Sequence, residues 1–418
     1  MKKISIFLVS FLLLIGGFAN AQTYNLVIKG GHLIDPKNNI NELMDLAIMD
    51  GKIVKVAKDI DGKQARQVVN ATGYYITPGL IDIHAHVFAG TEIERGLSNG
   101  PTALPPDGFT FRVGVTTVVD PGSSGWKSFP TFKKNVIDIS QTRVLALLNI
   151  VGEGMRGGAW EQDTKDMDPK LTALTAAQYK KDIVGFKVAH YSGNEWIPVD
   201  RVVEAGNIAH LPVMIDLGSS TPPLSIEELF MKHLRPGDIY THTYVRLDGN
   251  IRETIVDENL NKLKPFVLEA RKKGIIFDVG YGGGSFNFSQ ALPALKSGFY
   301  PDCISTDLHT GSMNSAMKNM LNVMSTFLAM GMNFPDVIKA STWKPALAIH
   351  REEIGNLSVG SEADVAILNL QKGDFGYWDK TGSKIQGNQR LECEMTIRAG
   401  KIVYDLNGIA TPIVVPAK

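Results

Sequence analysis

The apolar run ITPGLIDIHAHVFAG, residues 76–90, closes on two imidazoles, His84 and His86. Side chains two apart on a β-strand point to the same face, so both rings can converge on one point, as a shared metal ion requires. A lone His-x-His also fits two hydrogen-bonded histidines at a polar strand end. Other ligands must then come from elsewhere in the chain. Polar residues late in the other strand-like runs supply a short set: Lys187 in GFKVAH, Asp216 in PVMID, His242 in IYTHTY and Asp307 in CISTD. Lys187 is the odd member, because an ammonium has no lone pair and repels a cation. A buried lysine tends to lose its proton. The neutral amine can take up carbon dioxide as a carbamate, an anion able to bridge two metal ions; the alternative is a salt bridge from Lys187 to Asp216 or Asp307.

Convergence of residues so far apart needs a scaffold. Eight apolar runs (GLIDIHAH, TTVVDPG, RVLALLNI, GFKVAH, PVMID, IYTHTY, IIFDVG and CISTD) alternate with connections able to hold helices, such as residues 226–234 and 260–273. That alternation predicts an α/β fold, a (β/α)8 TIM barrel over residues 80–354, whose chemistry belongs at the C-terminal ends of its strands. Residues 152–177 read as a long loop with a helix at its end. Short strands precede the barrel in YNLVIKGGHLID, LAIMDGKIVKVA and QVVNATGYYITPG, with a hairpin signal at Asp50-Gly51. A matching pattern returns in VGSEADVAILNL and EMTIRAGKIVYDLNG. Residues 22–79 and 355–418 are therefore expected to form one small β-sandwich domain assembled from both chain ends.

The first 21 residues have the layout of a secretory signal peptide: Lys2 and Lys3, an apolar stretch, then Ala19-Asn20-Ala21 before Gln22. The apolar stretch is shorter than the roughly 20 residues of a bilayer span. The expectation is a periplasmic or secreted protein without a stable membrane anchor. The remaining ~400 residues suit one large domain and a smaller one. With 43 basic and 43 acidic residues, nothing steers the chain to nucleic acid or an anionic membrane, and a small-molecule partner is expected. Assembly as a homo-oligomer is left open by the sequence. Cys303 and Cys393 make no metal-binding spacing and read as buried free thiols.

The His-x-His after PGLID, a lysine on the fourth strand, a histidine on the sixth and an aspartate on the eighth resemble the amidohydrolase superfamily. The stretches GVTTVVDPGSSG, LRPGDIYTHTY, FDVGYGGGSFNF, PDCISTDLHTG and GNLSVGSEADVAIL are similar to its dihydroorotase-like amidohydrolase/deacetylase branch, across almost all of the chain after the signal peptide. The resemblance implies that His84 and His86 bind the more buried of two divalent metal ions, Lys187 is the carbamylated bridge, and His242 binds the more exposed ion. It also implies that Asp307 binds metal and moves the proton, with zinc the expected metal for both ions and manganese the alternative. A hydroxide held between the ions would attack a carbonyl polarised by the exposed one.

Two positions depart from that pattern. Asp216 stands where the family has a histidine, and Tyr281 in VGYGGG stands where relatives often carry one. Asp216 reads as a ligand of the exposed ion, as a residue behind a single-metal site, or as the partner of an uncarbamylated Lys187. As a ligand it lowers the charge of the centre by one unit relative to histidine, which weakens its Lewis acidity or favours manganese. His190, His309, Tyr281 and Arg156 are candidate substrate contacts, and the glycine-rich residues 280–286 read as a flexible loop beside the pocket. The expected activity is hydrolysis of an amide, a cyclic amide or an acyl ester of a small molecule, with deacylation preferred. A dipeptidase of unusual dipeptides and a non-catalytic ligand-binding barrel are the alternatives.

Overall fold

The computed structural model describes residues 23–89 and 102–414; the proposed signal peptide lies outside them. Five strands open the described chain: β1 (Tyr24–Asp35), β2 (Ile40–Met49), β3 (Lys52–Ala57), β4 (Ala65–Asn70) and β5 (Tyr75–Pro78). The Asp50-Gly51 turn joins β2 to β3 with both residues at positive φ, 48° and 75°, the backbone that a two-residue hairpin demands.

The barrel strands follow: β6 (Leu80–Asp82), β7 (Val115–Gly125), β8 (Arg143–Asn149), β9 (Ile183–Ala189), β10 (Val213–Asp216) and β11 (Ile239–Tyr240). A two-strand ribbon, β12 (Val256–Asp257) with β13 (Lys262–Leu263), interrupts them before β14 (Ile276–Phe277). The chain then returns to the first sheet with β15 (Val365–Trp378), β16 (Lys384–Arg398) and β17 (Lys401–Asp405).

The expected union of the two chain ends is made by β15, which pairs antiparallel with β5 from Val365 opposite Pro78 to Leu368 opposite Tyr75. One eight-stranded sheet results, in the order β17-β16-β15-β5-β1-β2-β3 with β4 on β1. It encloses its own apolar core, including Leu26, Ile28, Leu46, Ile48, Val365 and Ile397, which makes it the small β-sandwich of the fold.

The barrel sheet runs β14-β11-β10-β9-β8-β7-β6, all parallel. Its longer strands are buried along their whole length, as in a parallel sheet covered on both faces. The eighth run, residues 303–308, forms no regular strand yet closes the circle. Val279 and Gly282 donate backbone hydrogen bonds to the carbonyls of Cys303 and Thr306 on one side (3.0 and 2.9 Å), and on the other His86 donates to Leu308 (2.9 Å). The ladder is broken by a side chain. Asp82 accepts from the Thr306 hydroxyl (2.5 Å), the Thr306 amide (3.1 Å) and the His84 amide (3.2 Å), taking donors that a regular ladder would pair. Burial pushes this carboxyl up to about 7.

Residues 152–177 form the anticipated long loop, with short turns at Gly158–Gln162 and Thr164–Asp166 before the helix Pro169–Gln178. Asp168 caps that helix by accepting from the amides of Lys170 and Leu171, with proline at its first position. Two expected helices are shorter than the sequence pattern suggests. Residues 226–234 begin as Ile226–Glu228 and widen into a π turn, Leu229–His233, and the helix within 260–273 starts only at Pro265 because the β12–β13 ribbon occupies the residues before it. Among the described residues no helix is long and apolar enough to cross a membrane.

Cys303 and Cys393 are free and buried, and burial pushes both thiols up, Cys393 to about 12. A thiol reagent should therefore leave the folded protein unlabelled and modify both cysteines after denaturation; rapid labelling of either one without denaturant would contradict this packing.

Candidate active site

Seven predicted site residues gather at the C-terminal ends of the barrel strands, in two touching groups. In the first, His84 Nε2 lies 3.5 Å and His86 Nε2 3.2 Å from Asp307 Oδ1. One donor atom from each of these three buried residues lies within 4.8 Å of the others. The second group surrounds Asp216 Oδ2: His242 Nε2 at 3.1 Å, His190 Nε2 at 3.5 Å and Lys187 Nζ at 3.8 Å. The His84 and His242 rings, 5.0 Å apart between centroids, join the groups.

Most of these residues sit just past their strands rather than within them. His190, His242 and Asp307 all take left-handed backbone, with φ of 55°, 56° and 49°. Such conformations are uncommon for residues other than glycine and cluster at functional sites. The left-handed turn at Asp307 also ends the extended run, so His309 does not share its strand face. His309 instead caps the short helix Thr310–Met313, its Nδ1 accepting from the Gly311 amide at 3.2 Å. Its ring centroid lies 6.4 Å from that of His86, so it still borders the site.

The far side of each ring is fixed by a partner that the sequence reading passed over. Thr241 donates its hydroxyl to Asp278 (2.7 Å), so its oxygen is left to accept from His84 Nδ1 at 2.9 Å. His242 Nδ1 donates to the Gly280 carbonyl at 2.6 Å. His86 Nδ1 meets Ser123 Oγ at 2.9 Å. Outer partners of this kind set the tautomer and aim the other nitrogen.

With Nδ1 carrying the proton, His84 turns its Nε2 lone pair toward Asp307, and His242 points Nε2 at Asp216 Oδ2. Burial pushes His84 down to about 4, so at neutral pH it carries no second proton to relieve that opposition. Burial also works against charge on Asp307 and Asp216, yet positive charge and N–H donors around them outweigh it and both lie below their ordinary range. Ring nitrogens and carboxylate oxygens gathered this closely in a water-poor interior form a set that a cation can bind. A nitrogen, nitrogen, oxygen donor set fits a divalent ion such as zinc.

Lys187 is completely buried, and burial lowers its pKa. Its nearest partners, Met214 Sδ at 3.7 Å and Asp216 Oδ2 at 3.8 Å, make no short ionic contact.

Two predicted contacts have partners other than the gathered site residues. Tyr281 is buried, stacked on Phe286, and donates its hydroxyl to the Trp378 carbonyl at 3.0 Å, so it ties the barrel to β15. Arg156 is committed to Glu153 (2.9 Å) and packs over Trp160. The glycine-rich loop has a tighter role than a flexible border: Gly280 supplies the acceptor for His242, and a Cβ on Gly282 (φ 59°) would stand 2.4 Å from Asp307 Oδ2.

Sequence reading missed Arg252 and Glu161 outright. Glu161 accepts from His190 Nδ1 at 3.0 Å, and Arg252 Nη1 lies 3.1 Å from Asp216 Oδ1. Asp82, Thr241 and Asp278 stood in the marked strand runs, where polar residues late in a strand were the available signal. Arg252 lies in a loop and gave none.

A (β/α)8 barrel with buried histidines and carboxylates converging at its strand ends defines a hydrolase barrel. Residues 285–403 match the amidohydrolase family. The chain is 32% identical over 341 residues to a deacetylase of Agrobacterium fabrum, covering 80% of each protein. It is 39% identical to the dihydroorotase of Geotalea daltonii over 87 residues, 21% of this chain and 20% of that one. Among solved structures, an adenine deaminase superposes with a TM-score of 0.82 at 27% identity, over 92% of this chain and 100% of that one. A dihydroorotase gives 0.78 at 28% identity, over 91% and 99%. The chain belongs to the amidohydrolase superfamily, in its dihydroorotase-like branch, and is a hydrolase of C–N bonds.

Gly282→Ala should displace Asp307 and reduce hydrolysis by about 100-fold or more, while the barrel stays folded by circular dichroism. Full activity in that variant would show that Asp307 does not depend on the glycine collar.

Proposed function

We propose that the protein is an exported, metal-dependent amidohydrolase that removes an acyl group from a small N-acyl or O-acyl compound. The observation that carries the reading is the convergence of His84 Nε2 and His86 Nε2 on Asp307 Oδ1, with a second set of donors around Asp216 adjoining it. His84, His86 and Asp307 would hold one divalent ion, and His242, Asp216 and the Lys187 carbamate the other, zinc before manganese. Bound there, the ions would supply Lewis acidity, making the attacking water acidic and the scissile carbonyl electrophilic.

The chain's own groups divide the remaining work. Asp307, ionised at rest, takes the proton of the attacking water and passes it to the leaving nitrogen or oxygen. Lys187, kept toward its neutral amine by burial, adds its Nζ lone pair to the carbon of carbon dioxide and releases a proton, leaving an N-carboxylate anion. His190, anchored by Glu161, and His309, whose Nδ1 is occupied by the Gly311 amide, offer Nε2 to the substrate.

An acyl substrate is favoured over a ring because the deacetylase relative is 32% identical over most of both proteins, whereas the dihydroorotase structure that matches over a similar span is 28% identical. Export rests on the signal-peptide pattern of residues 1–21.

The test is hydrolysis of a panel of N-acyl amino acids, acyl esters and cyclic amides by mature protein prepared with bicarbonate and zinc. Chelation should abolish turnover, and zinc with bicarbonate should restore it in wild type but not in Lys187→Ala. Asp307→Asn should lower kcat by about 10³-fold. Turnover that survives both chelation and Asp307→Asn would sink the mechanism.

A further inference from the structure

Asp216 is the departure from the family pattern that lies within the gathered site, and it does not stand alone. Arg252 comes from the loop after β11, is buried to about the same degree as the site residues, and reaches back with Nη1 to Asp216 Oδ1 (3.1 Å) and to the Leu217 carbonyl. Its guanidinium carbon lies 5.9 Å from the centre of the Tyr240 ring. Its Nε and Nη2 are buried and make no well-formed hydrogen bond among the described residues, and the Tyr240 side chain is the other group that interacts with the guanidinium. A guanidinium so sparsely hydrogen-bonded in the interior is costly for the fold. Its position is explained by what it does to Asp216.

We infer that Arg252 is a positioning residue of the metal centre, pairing with Asp216 so that the two together replace the neutral histidine of the family. Relative to that histidine, Asp216 subtracts one unit of charge, and Arg252 returns it. The pairing also occupies Oδ1, so that only Oδ2 faces His242, His190 and Lys187. The weakening of the centre expected from Asp216 by itself is thereby cancelled. This inference rests on the metal-dependent reading above.

The test is zinc affinity, read without turnover. Wild type, Arg252→Met, Arg252→Lys, Asp216→His and the double variant Asp216→His/Arg252→Met are made with bicarbonate and equilibrated against graded free zinc. Bound zinc per chain is then measured by mass spectrometry, and thermal melting reports folding. Removing the arginine charge should tighten the weaker zinc by about 10-fold or more, since a unit charge a few ångströms away acts strongly in a buried site. Arg252→Lys should stay near wild type. Asp216→His, which leaves the guanidinium unpaired, should weaken that zinc by about 10-fold or more, and Arg252→Met in the same chain should restore it.

Unchanged affinity in Arg252→Met, or no recovery in the double variant, overturns the assignment while leaving the metal reading intact. Wild type that takes up no zinc overturns both. Should Arg252→Met fail to fold, Arg252→Gln, able to keep a hydrogen bond to the Leu217 carbonyl, carries the same expectation.

Discussion

The structure turns on one crowding of groups: imidazole nitrogens packed against ionised carboxylates in a buried space. His84 faces Asp307 and His242 faces Asp216, at 3.5 and 3.1 Å. In water such groups would drift apart and be hydrated, but the barrel removes that freedom. Thr241 and the Gly280 carbonyl hold the opposite ring nitrogens, and Asp82 fastens the first strand to the eighth segment. These contacts fix the rings in an arrangement that suits a divalent cation better than an empty site.

Barrel closure is subordinated to the same need. A regular eighth strand would continue past Asp307 and place His309 on its face. The chain instead turns left-handed at Asp307, as it does at His190 and His242. Each turn lifts a side chain off the end of the sheet and aims it inward. Asp82 takes the Thr306 amide that the broken ladder leaves unpaired, and its bonds to the Thr306 hydroxyl and the His84 amide hold the segment to the first strand.

Much of this was legible along the chain. Parallel strands announce themselves as apolar runs, and the polar residues that end them stood out because the runs had no other reason to carry charge. His84, His86, Lys187, Asp216, His242 and Asp307 were found in that way. Tyr281 was misread, since its position in a loop gave no sign that its ring would stack on Phe286 and its hydroxyl reach β15. Arg252 was invisible for a related reason: it sits in a polar loop segment where arginine is unremarkable, and only folding carries it to Asp216.

The sequence by itself therefore determined the strand order, the union of the two chain ends in one β-domain, and the set of groups that could meet at the barrel mouth. These follow from local pattern, because burial periodicity and turn chemistry act over a few residues at a time. Tertiary structure decided which nitrogen of each histidine faces inward, which carboxylate oxygen is free, and that Asp216 has a buried guanidinium beside it. Those outcomes depend on side chains brought together from distant loops, where separations of 3 to 4 Å set the electrostatics and no local pattern records them.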